Sequence, residues 1–161
     1  MTSRLLVDKI EGKSTSGTVQ MPTGHVIQTL QFTASETSIG NTSANTVINS
    51  TFTPKVSGSK FAVWLEIPNC TNTSGGSTQC NVNIGTSATP SSNTNIIYVM
   101  EKMVGTGADD VKSINGHDFG SFTCSSTGTH YISLIVTADH GNQVLARHSN
   151  TIKIVLQEIA Q

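Results

Sequence analysis

The sequence predicts an all-β protein, an antiparallel β-sandwich of the jelly-roll type that follows an extended N-terminal arm. Short apolar runs recur along the 161 residues, with Gly, Ser, Asn or Pro between them, which is the pattern of successive strands and turns. Thr, Val and Ile are plentiful while Ala, Lys and Glu are sparse, and this composition favours strands over helices. No window of useful length carries helical apolar spacing.

The strand segments follow from these runs and from the turn signals between them. In chain order we predict strands at Leu5–Ile10, Thr18–Met21, His25–Phe32, Thr46–Thr53, Lys60–Ile67, Cys80–Ile84, Asn95–Met103, Asp118–Cys124, His130–Ala138 and Ile152–Ile159. The segments beyond the arm number about eight, the strand count of a jelly roll.

Residues 1–30 are predicted to be an attachment arm, and residues 31–161 the head. The apolar runs of the arm are short and interrupted, so they cannot enclose a core of their own. We expect them to lie on a partner. The predicted contact residues are Leu5, Val7, Ile10, Val19, Met21, Val26 and Ile27.

The last predicted strand is apolar on both faces. Ile152, Ile154 and Leu156 share one face, whereas Val155 and Ile159 share the other. One sandwich core can cover only one of these faces, so the second predicts contact with other copies in a closed oligomer. Trp64 has the same strand context. It is interpreted as an interface or core anchor, and a sugar-stacking platform is the alternative.

The composition argues against several classes of function. Charged residues make up 12% of the chain and the net charge is −1, which gives no field for binding nucleic acid. No apolar run reaches the roughly 18 residues of a membrane span, and the N-terminus lacks the apolar core of a signal peptide. We therefore expect synthesis in the cytosol without membrane insertion.

No motif for catalysis, metal binding or a cofactor is present. The five histidines form neither a His-x-His nor an HExxH pair, and the sequence lacks a nucleophile elbow and a P-loop. Cys70, Cys80 and Cys124 make an odd count, which favours reduced thiols. A disulfide between Cys70 and Cys80 across a predicted hairpin stays open.

Three segments, taken in order, resemble short tail-fibre-like virion proteins of tailed phages, particularly phages of cyanobacteria and other marine bacteria. They are VDKIEGKSTSGTVQMPTGHVIQ, STFTPKVSGSKFAVWLEI and NTIKIVLQEIA, and together they cover about a third of the chain. The resemblance implies a trimeric jelly-roll head, similar to that of complement and tumour-necrosis-factor proteins, behind an extended arm. It brings no catalytic residue.

The expected role is therefore a homotrimeric virion protein, assembled in the host cytoplasm with other virion proteins. Two positions stay open: a short tail fibre or adhesin on the tail, or a decoration (cement) protein whose arm lies on the capsid lattice. A trimer interface would include Trp64, Val155 and Ile159. A cellular sugar-binding jelly roll and a small hydrolase have no supporting motif.

On the tail, the loop tips of the head would meet host polysaccharide. These tips are rich in small, neutral, hydrogen-bonding side chains, and simple solvated turns are the alternative. The predicted receptor-facing residues are Thr73, Ser74, Asn93, Asp109 and Asn142, on loops 71–79, 87–93, 105–110 and 141–142.

Overall fold

The computed structural model describes residues 23–40, 42–72, 76–103, 112–138, 143–146 and 148–161. In this part of the chain the secondary structure consists of strands and one short 3-10 turn at Pro90–Ser92. The strands are β1 (Val26–Ala34), β2 (Thr37–Ile39), β3 (Asn45–Phe52), β4 (Lys60–Asn72), β5 (Gly76–Gly85), β6 (Thr94–Met103), β7 (Lys112–Thr123), β8 (His130–Ala138), β9 (Gln143–Leu145) and β10 (Ile152–Ile159).

The strands form two antiparallel sheets. In sheet A, β10 lies between β1 and β4, β7 pairs with the other side of β4, and the short strands β9 and β2 continue from the far end of β4. Sheet B has the order β3-β8-β5-β6. Without β2 and β9, the two sheets have four strands each, in the orders β1-β10-β4-β7 and β3-β8-β5-β6. This is the two-sheet, eight-strand arrangement of a jelly roll, and it confirms the predicted fold class.

Most predicted strands occur at or near their predicted positions. The bounds of β8 and β10 agree to the residue, and β1, β3, β5, β6 and β7 overlap their predicted segments. β2 and β9 have no counterpart in the prediction. The predicted strands Leu5–Ile10 and Thr18–Met21 lie outside the described residues.

The predicted boundary between arm and head at residue 30 falls inside β1. Val26 and Ile27, predicted as arm residues, belong to this strand, which pairs with β10 from Val26 to Ala34. The pairing continues outward, because the N–H of Gly24 donates to Ala160 and the N–H of Ala160 donates to His25. The head therefore includes the chain at least from Gly24.

The core lies between the sheets and is built by the alternate residues of each strand. In β10 the inward residues Ile152, Ile154 and Leu156 are fully buried, and the residues between them are half-buried. The same alternation runs through β4, where Phe61, Val63, Leu65 and Ile67 point inward. This agrees with the faces predicted from sequence.

The segment Thr71–Gln79 was predicted to be the tip of a hairpin, and this prediction is wrong. The strands that flank it lie in different sheets. β4 continues to Asn72 and β5 begins at Gly76 in the opposite sheet, so the connection crosses from sheet A to sheet B. Cys70 and Cys80 accordingly lie in different sheets. Both are buried, as is Cys124, and the three form no disulfide.

Candidate functional site

The outward face of sheet A carries a row of apolar side chains across three strands. The register pairs Val155 on β10 with Trp64 on β4, and Trp64 with Phe119 on β7. Directly paired residues share a face and lie close enough for their side chains to touch. We call Trp64, Phe119, Val155 and Ile159 the sheet-A patch.

Trp64 and Phe119 form the exposed centre of this patch. Their ring centroids are 5.4 Å apart and the ring planes are tilted by 56°, within the usual range of attractive aromatic pairs. Trp64 is 38% exposed and Phe119 56% exposed. A soluble protein seldom leaves two adjacent large aromatic side chains in water unless that surface binds something.

A shallow cavity of about 240 Å³ adjoins the patch at the end of β10. It is lined by Lys60, Phe61, Ala62, Phe119, Ser121 and Ile159. Ile159 is half-buried and forms one wall, so the patch has both a raised aromatic part and a hollow beside it. A hollow beside a raised aromatic pair can receive a side chain of a protein partner, which a flat surface cannot.

Polar groups border the patch on its other side. Lys153 and Glu66 are paired in register across β10 and β4, and the ammonium lies 3.4 Å from the carboxylate. The Lys153 side chain is 41% exposed and that of Glu66 57%, so solvent screens the ion pair and it adds little stability. An apolar centre with a charged rim is the usual anatomy of a protein interface.

The structure places the predicted interface residues Trp64, Val155 and Ile159 on this one face. Phe119 was not among the predicted interface residues, although it is the most exposed member of the patch. The sequence predicts a strand around Phe119, but only the pairing of β7 with β4 shows that Phe119 lies next to Trp64.

Among the predicted receptor-facing residues, only Asn93 is described. Its side-chain oxygen accepts from the N–H of Ser87 at 3.0 Å, and its amide donates to the Ser87 carbonyl at 2.9 Å. The half-buried side chain thus links the two ends of the 87–93 loop, and a contact of Asn93 with a receptor stays a prediction. Thr73, Ser74, Asp109 and Asn142 lie outside the described residues, as do the arm residues Leu5, Val7, Ile10, Val19 and Met21.

A buried carboxylate ties three parts of the head together at one end of the sandwich. Glu158 on β10 is fully buried. It accepts hydrogen bonds from the N–H groups of Lys55 and Val56, the Ser59 hydroxyl and the Gln28 side-chain amide. These donors belong to β1 and to the loop between β3 and β4.

Two opposing effects act on this carboxylate. Burial by itself would raise the pKa of Glu158, whereas the hydrogen bonds from Ser59, Lys55, Val56 and Gln28 lower it, and the net result is a pKa below the ordinary value of 4.5. A carboxylate that accepts several N–H and O–H bonds stays ionised without a cation beside it. Its arrangement is that of a structural clamp, closed to solvent.

The buried thiol of Cys124 belongs to the same cluster. Its sulfur lies 3.2 Å from the Ser59 hydroxyl oxygen and 3.2 Å from the Val56 carbonyl. The backbones of Ser59 and Cys124 are also hydrogen-bonded to each other. The cluster thereby joins the loop before β4 to the end of β7.

Within the described ranges, no three His, Cys, Asp or Glu side chains come together as a metal site would require. The helical structure described there includes no segment long and apolar enough to cross a membrane.

Comparisons with known proteins found likeness in structure but none in sequence. No family model and no curated protein matches the sequence. Among solved structures, dimeric latent PorU from Porphyromonas gingivalis superposes with a TM-score of 0.51 and 12% sequence identity, over 92% of this chain and 14% of that one. The Eiger TNF from S. frugiperda gives a TM-score of 0.45 and 12% identity, over 82% and 95%. At 12% identity, and over only 14% of its chain, the likeness to PorU concerns the fold alone.

Proposed function

We propose that this protein is a structural component of a tailed-phage virion, a short tail fibre or adhesin that forms a homotrimer and contacts the host surface. The proposal assigns it no catalytic activity and no cofactor. The identification with phage proteins rests on the three sequence segments that resemble tail-fibre-like proteins. The proposal of self-assembly rests on the sheet-A patch.

The sheet-A patch is the single observation that carries self-assembly. Trp64 and Phe119 stand exposed side by side, Val155 extends the row, and Ile159 borders the adjoining cavity. Aromatic side chains at the centre of a patch contribute most of the binding free energy in typical interfaces. A neighbouring copy that covered this face would remove the aromatic pair from water.

A matched pair of variants tests the assembly. Phe119→Glu places a charge at the centre of the patch, and Thr46→Glu places the same charge on an exposed position of β3, on sheet B. A buried unpaired charge costs several kcal/mol, so Phe119→Glu should convert a trimer into monomers in light scattering. Thr46→Glu should remain trimeric. A wild-type protein that is monomeric at micromolar concentration would refute the proposed trimer.

The place in the virion needs a separate measurement. Quantitative mass spectrometry of purified particles should find only a few copies for a tail fibre, together with the major tail proteins in tail-only fractions. Hundreds of copies that remain with tail-less capsids would show that the protein is a capsid decoration protein instead. Adsorption to host cells in the presence of added soluble head tests the host contact directly, because a receptor-binding head should compete.

A further inference from the structure

The strands of sheet B present an uncharged outer surface wherever the structure describes their side chains. β3, β5, β8, residues 94–99 of β6 and the 87–93 loop contain no Asp, Glu, Lys or Arg. His130 of β8 is buried on the inward face. Charged residues make up roughly a quarter of an ordinary soluble domain, nearly all of them at its surface. A face without them is therefore unusual for a surface that meets only water.

An exposed tyrosine lies beside two asparagine amides on this surface. Tyr98 of β6 is 49% exposed and pairs in register with Asn81 of β5. The side-chain amide of Asn95 donates a 2.6 Å hydrogen bond to the side-chain oxygen of Asn81. An amide group has two N–H donors and an oxygen with two lone pairs, so the bonded pair can still donate to and accept from a ligand. We call Asn81, Asn95 and Tyr98 the sheet-B site.

The 87–93 loop stands on the outward face next to the sheet-B site. Asn83 pairs in register with Asn95 on one side and with Ser133 on the other, and its amide donates a 3.1 Å hydrogen bond to the carbonyl oxygen of Pro90. Asn83 is 7% exposed and Ser133 1%, because the loop covers this part of the face. The Asn83 oxygen and the Ser133 hydroxyl have no hydrogen-bond partner among the described residues. The loop therefore forms a wall, with unused polar groups at its foot.

The chemistry of the sheet-B site matches a neutral saccharide. The C–H groups on one face of a sugar ring pack against an aromatic ring, and sugar hydroxyls both donate and accept, as side-chain amides do. A charged ligand would find no group of opposite charge here. A protein partner usually meets an apolar centre with a charged rim. The sheet-A patch has that anatomy, whereas the sheet-B site has neither part of it.

We propose that the sheet-B site binds a neutral polysaccharide. Tyr98 is the stacking platform, the amides of Asn81 and Asn95 bind hydroxyl groups, and the 87–93 loop bounds the site on one side. The ligand would lie on paired strands, which hold these side chains in place before binding. The sheet-A patch belongs to the other sheet, so self-assembly and saccharide binding use different faces. As an account of host contact this inference rests on the proposed function, but as a binding site it does not.

Binding of the purified full-length protein to immobilised polysaccharides tests the ligand class. The array holds dextran, mannan and galactan as neutral polysaccharides, and alginate and polygalacturonate as anionic ones. We expect binding to at least one neutral polysaccharide. Its affinity should change less than about twofold between about 0.05 and about 0.5 M salt, because no charges meet in the complex. Binding to none of the neutral polysaccharides, or a preference for the anionic ones, would overturn the proposal.

Variants of the sheet-B site test its position. Tyr98→Ala removes the platform and should weaken binding about tenfold, whereas Tyr98→Phe keeps the ring and should stay within about threefold of wild type. Asn81→Asp keeps the shape but replaces the NH2 donor with a charge, so it should also weaken binding. Ser38→Asp is its control, with the same charge at an exposed position of β2. Unchanged binding by Tyr98→Ala and Asn81→Asp would refute the proposal.

Light scattering without saccharide separates this site from a contact between copies. Tyr98→Ala should have the same mass as wild type, and a lower mass would show that a second copy covers the sheet-B site, against the proposal. The test is independent of the proposed function. Neutral polysaccharide bound at this site by a protein that is absent from virions would refute the virion role alone. A virion protein that binds none would refute this inference alone.

Discussion

The hydroxyl of Ser59 donates a 2.6 Å hydrogen bond to Oε1 of Glu158, across 99 residues of sequence, and both residues are fully buried. Ser59 ends the loop before β4, and Glu158 is the penultimate residue of β10. The bond thus fixes the loop onto the strand that adjoins β4 in sheet A. Because Glu158 also accepts from β1, one side chain sets the positions of three neighbouring segments.

Glu158→Gln should destabilise the head by about 3 kcal/mol, because hydrogen bonds to a charged group are stronger than those to a neutral one. In addition, the NH2 group of glutamine is a donor and would face groups that are themselves donors. Urea unfolding followed by fluorescence measures the loss. Glu66→Gln is the control, because Glu66 is exposed and takes part only in a surface ion pair. A loss below about 0.5 kcal/mol for Glu158→Gln, comparable to surface substitutions, would show that the clamp is dispensable.

The stability of the head should fall with acid in a window set by Glu158. Its pKa is lowered in the folded protein, so the carboxylate contributes stability that is fully present above the unfolded-state pKa of about 4.5 and is lost as the pH falls through the lower folded-state pKa. The difference in melting temperature between wild type and Glu158→Gln should therefore be constant from about pH 7 to pH 5 and shrink below that. A difference that instead grows with acid would contradict the assigned sign.

Gly120→Ala should destabilise the head by roughly 1–3 kcal/mol, because the new methyl group would overlap the backbone of Ile96 and force β6 and β7 apart. The structure places the carbonyl oxygen of Ile96 2.6 Å from the added Cβ. Gly40→Ala is the matched control, since nothing lies within 4 Å of a Cβ there. Thermal unfolding compares the two variants, and equal melting temperatures would show that β6 and β7 separate without cost.

Two buried serines should respond to alanine with opposite signs. Among the described residues, the Ser133 hydroxyl on β8 has no hydrogen-bond partner, so Ser133→Ala should stabilise the head by about 1 kcal/mol. Ser59→Ala removes a donor to Glu158 and should destabilise it by about 2 kcal/mol. The denaturant midpoints of the two variants measure these changes in stability. Destabilisation by Ser133→Ala would indicate that the Ser133 hydroxyl has a hydrogen-bond partner in solution.

Strand positions were predictable wherever apolar alternation was strong, and failures have local causes. β4 was predicted to end at Ile67, immediately before Pro68-Asn69. The structure absorbs these residues in a bulge between Ile67 and Cys70, with Asn69 at a φ of +51°, and the strand continues to Asn72. A bulge accepts a residue that regular pairing excludes. β2 and β9, three residues each, are too short to give a periodic signal.

The candidate interface was predictable in part, since side-chain alternation assigns a face to Trp64, Val155 and Ile159 but not a neighbour. The contact of Trp64 with Phe119 depends on the register between β4 and β7, and no local pattern encodes it. Glu158 is the opposite case. From the sequence alone, an inward position is unfavourable for a charged side chain. The hydrogen-bond donors that stabilise the buried carboxylate belong to residues distant in the chain: Gln28, Lys55, Val56 and Ser59.

The central place of β10 in sheet A constrains how a ribosome can produce this head. β1 leaves the ribosome long before its only described strand neighbour, β10, which is the last of the described strands in chain order. Until then β1 and the inner edge of β4 remain unpaired on a nascent chain, at a translation speed of roughly 5–20 residues per second. Sheet A therefore closes only after translation has reached β10, and until then its unpaired strand edges can pair with other chains.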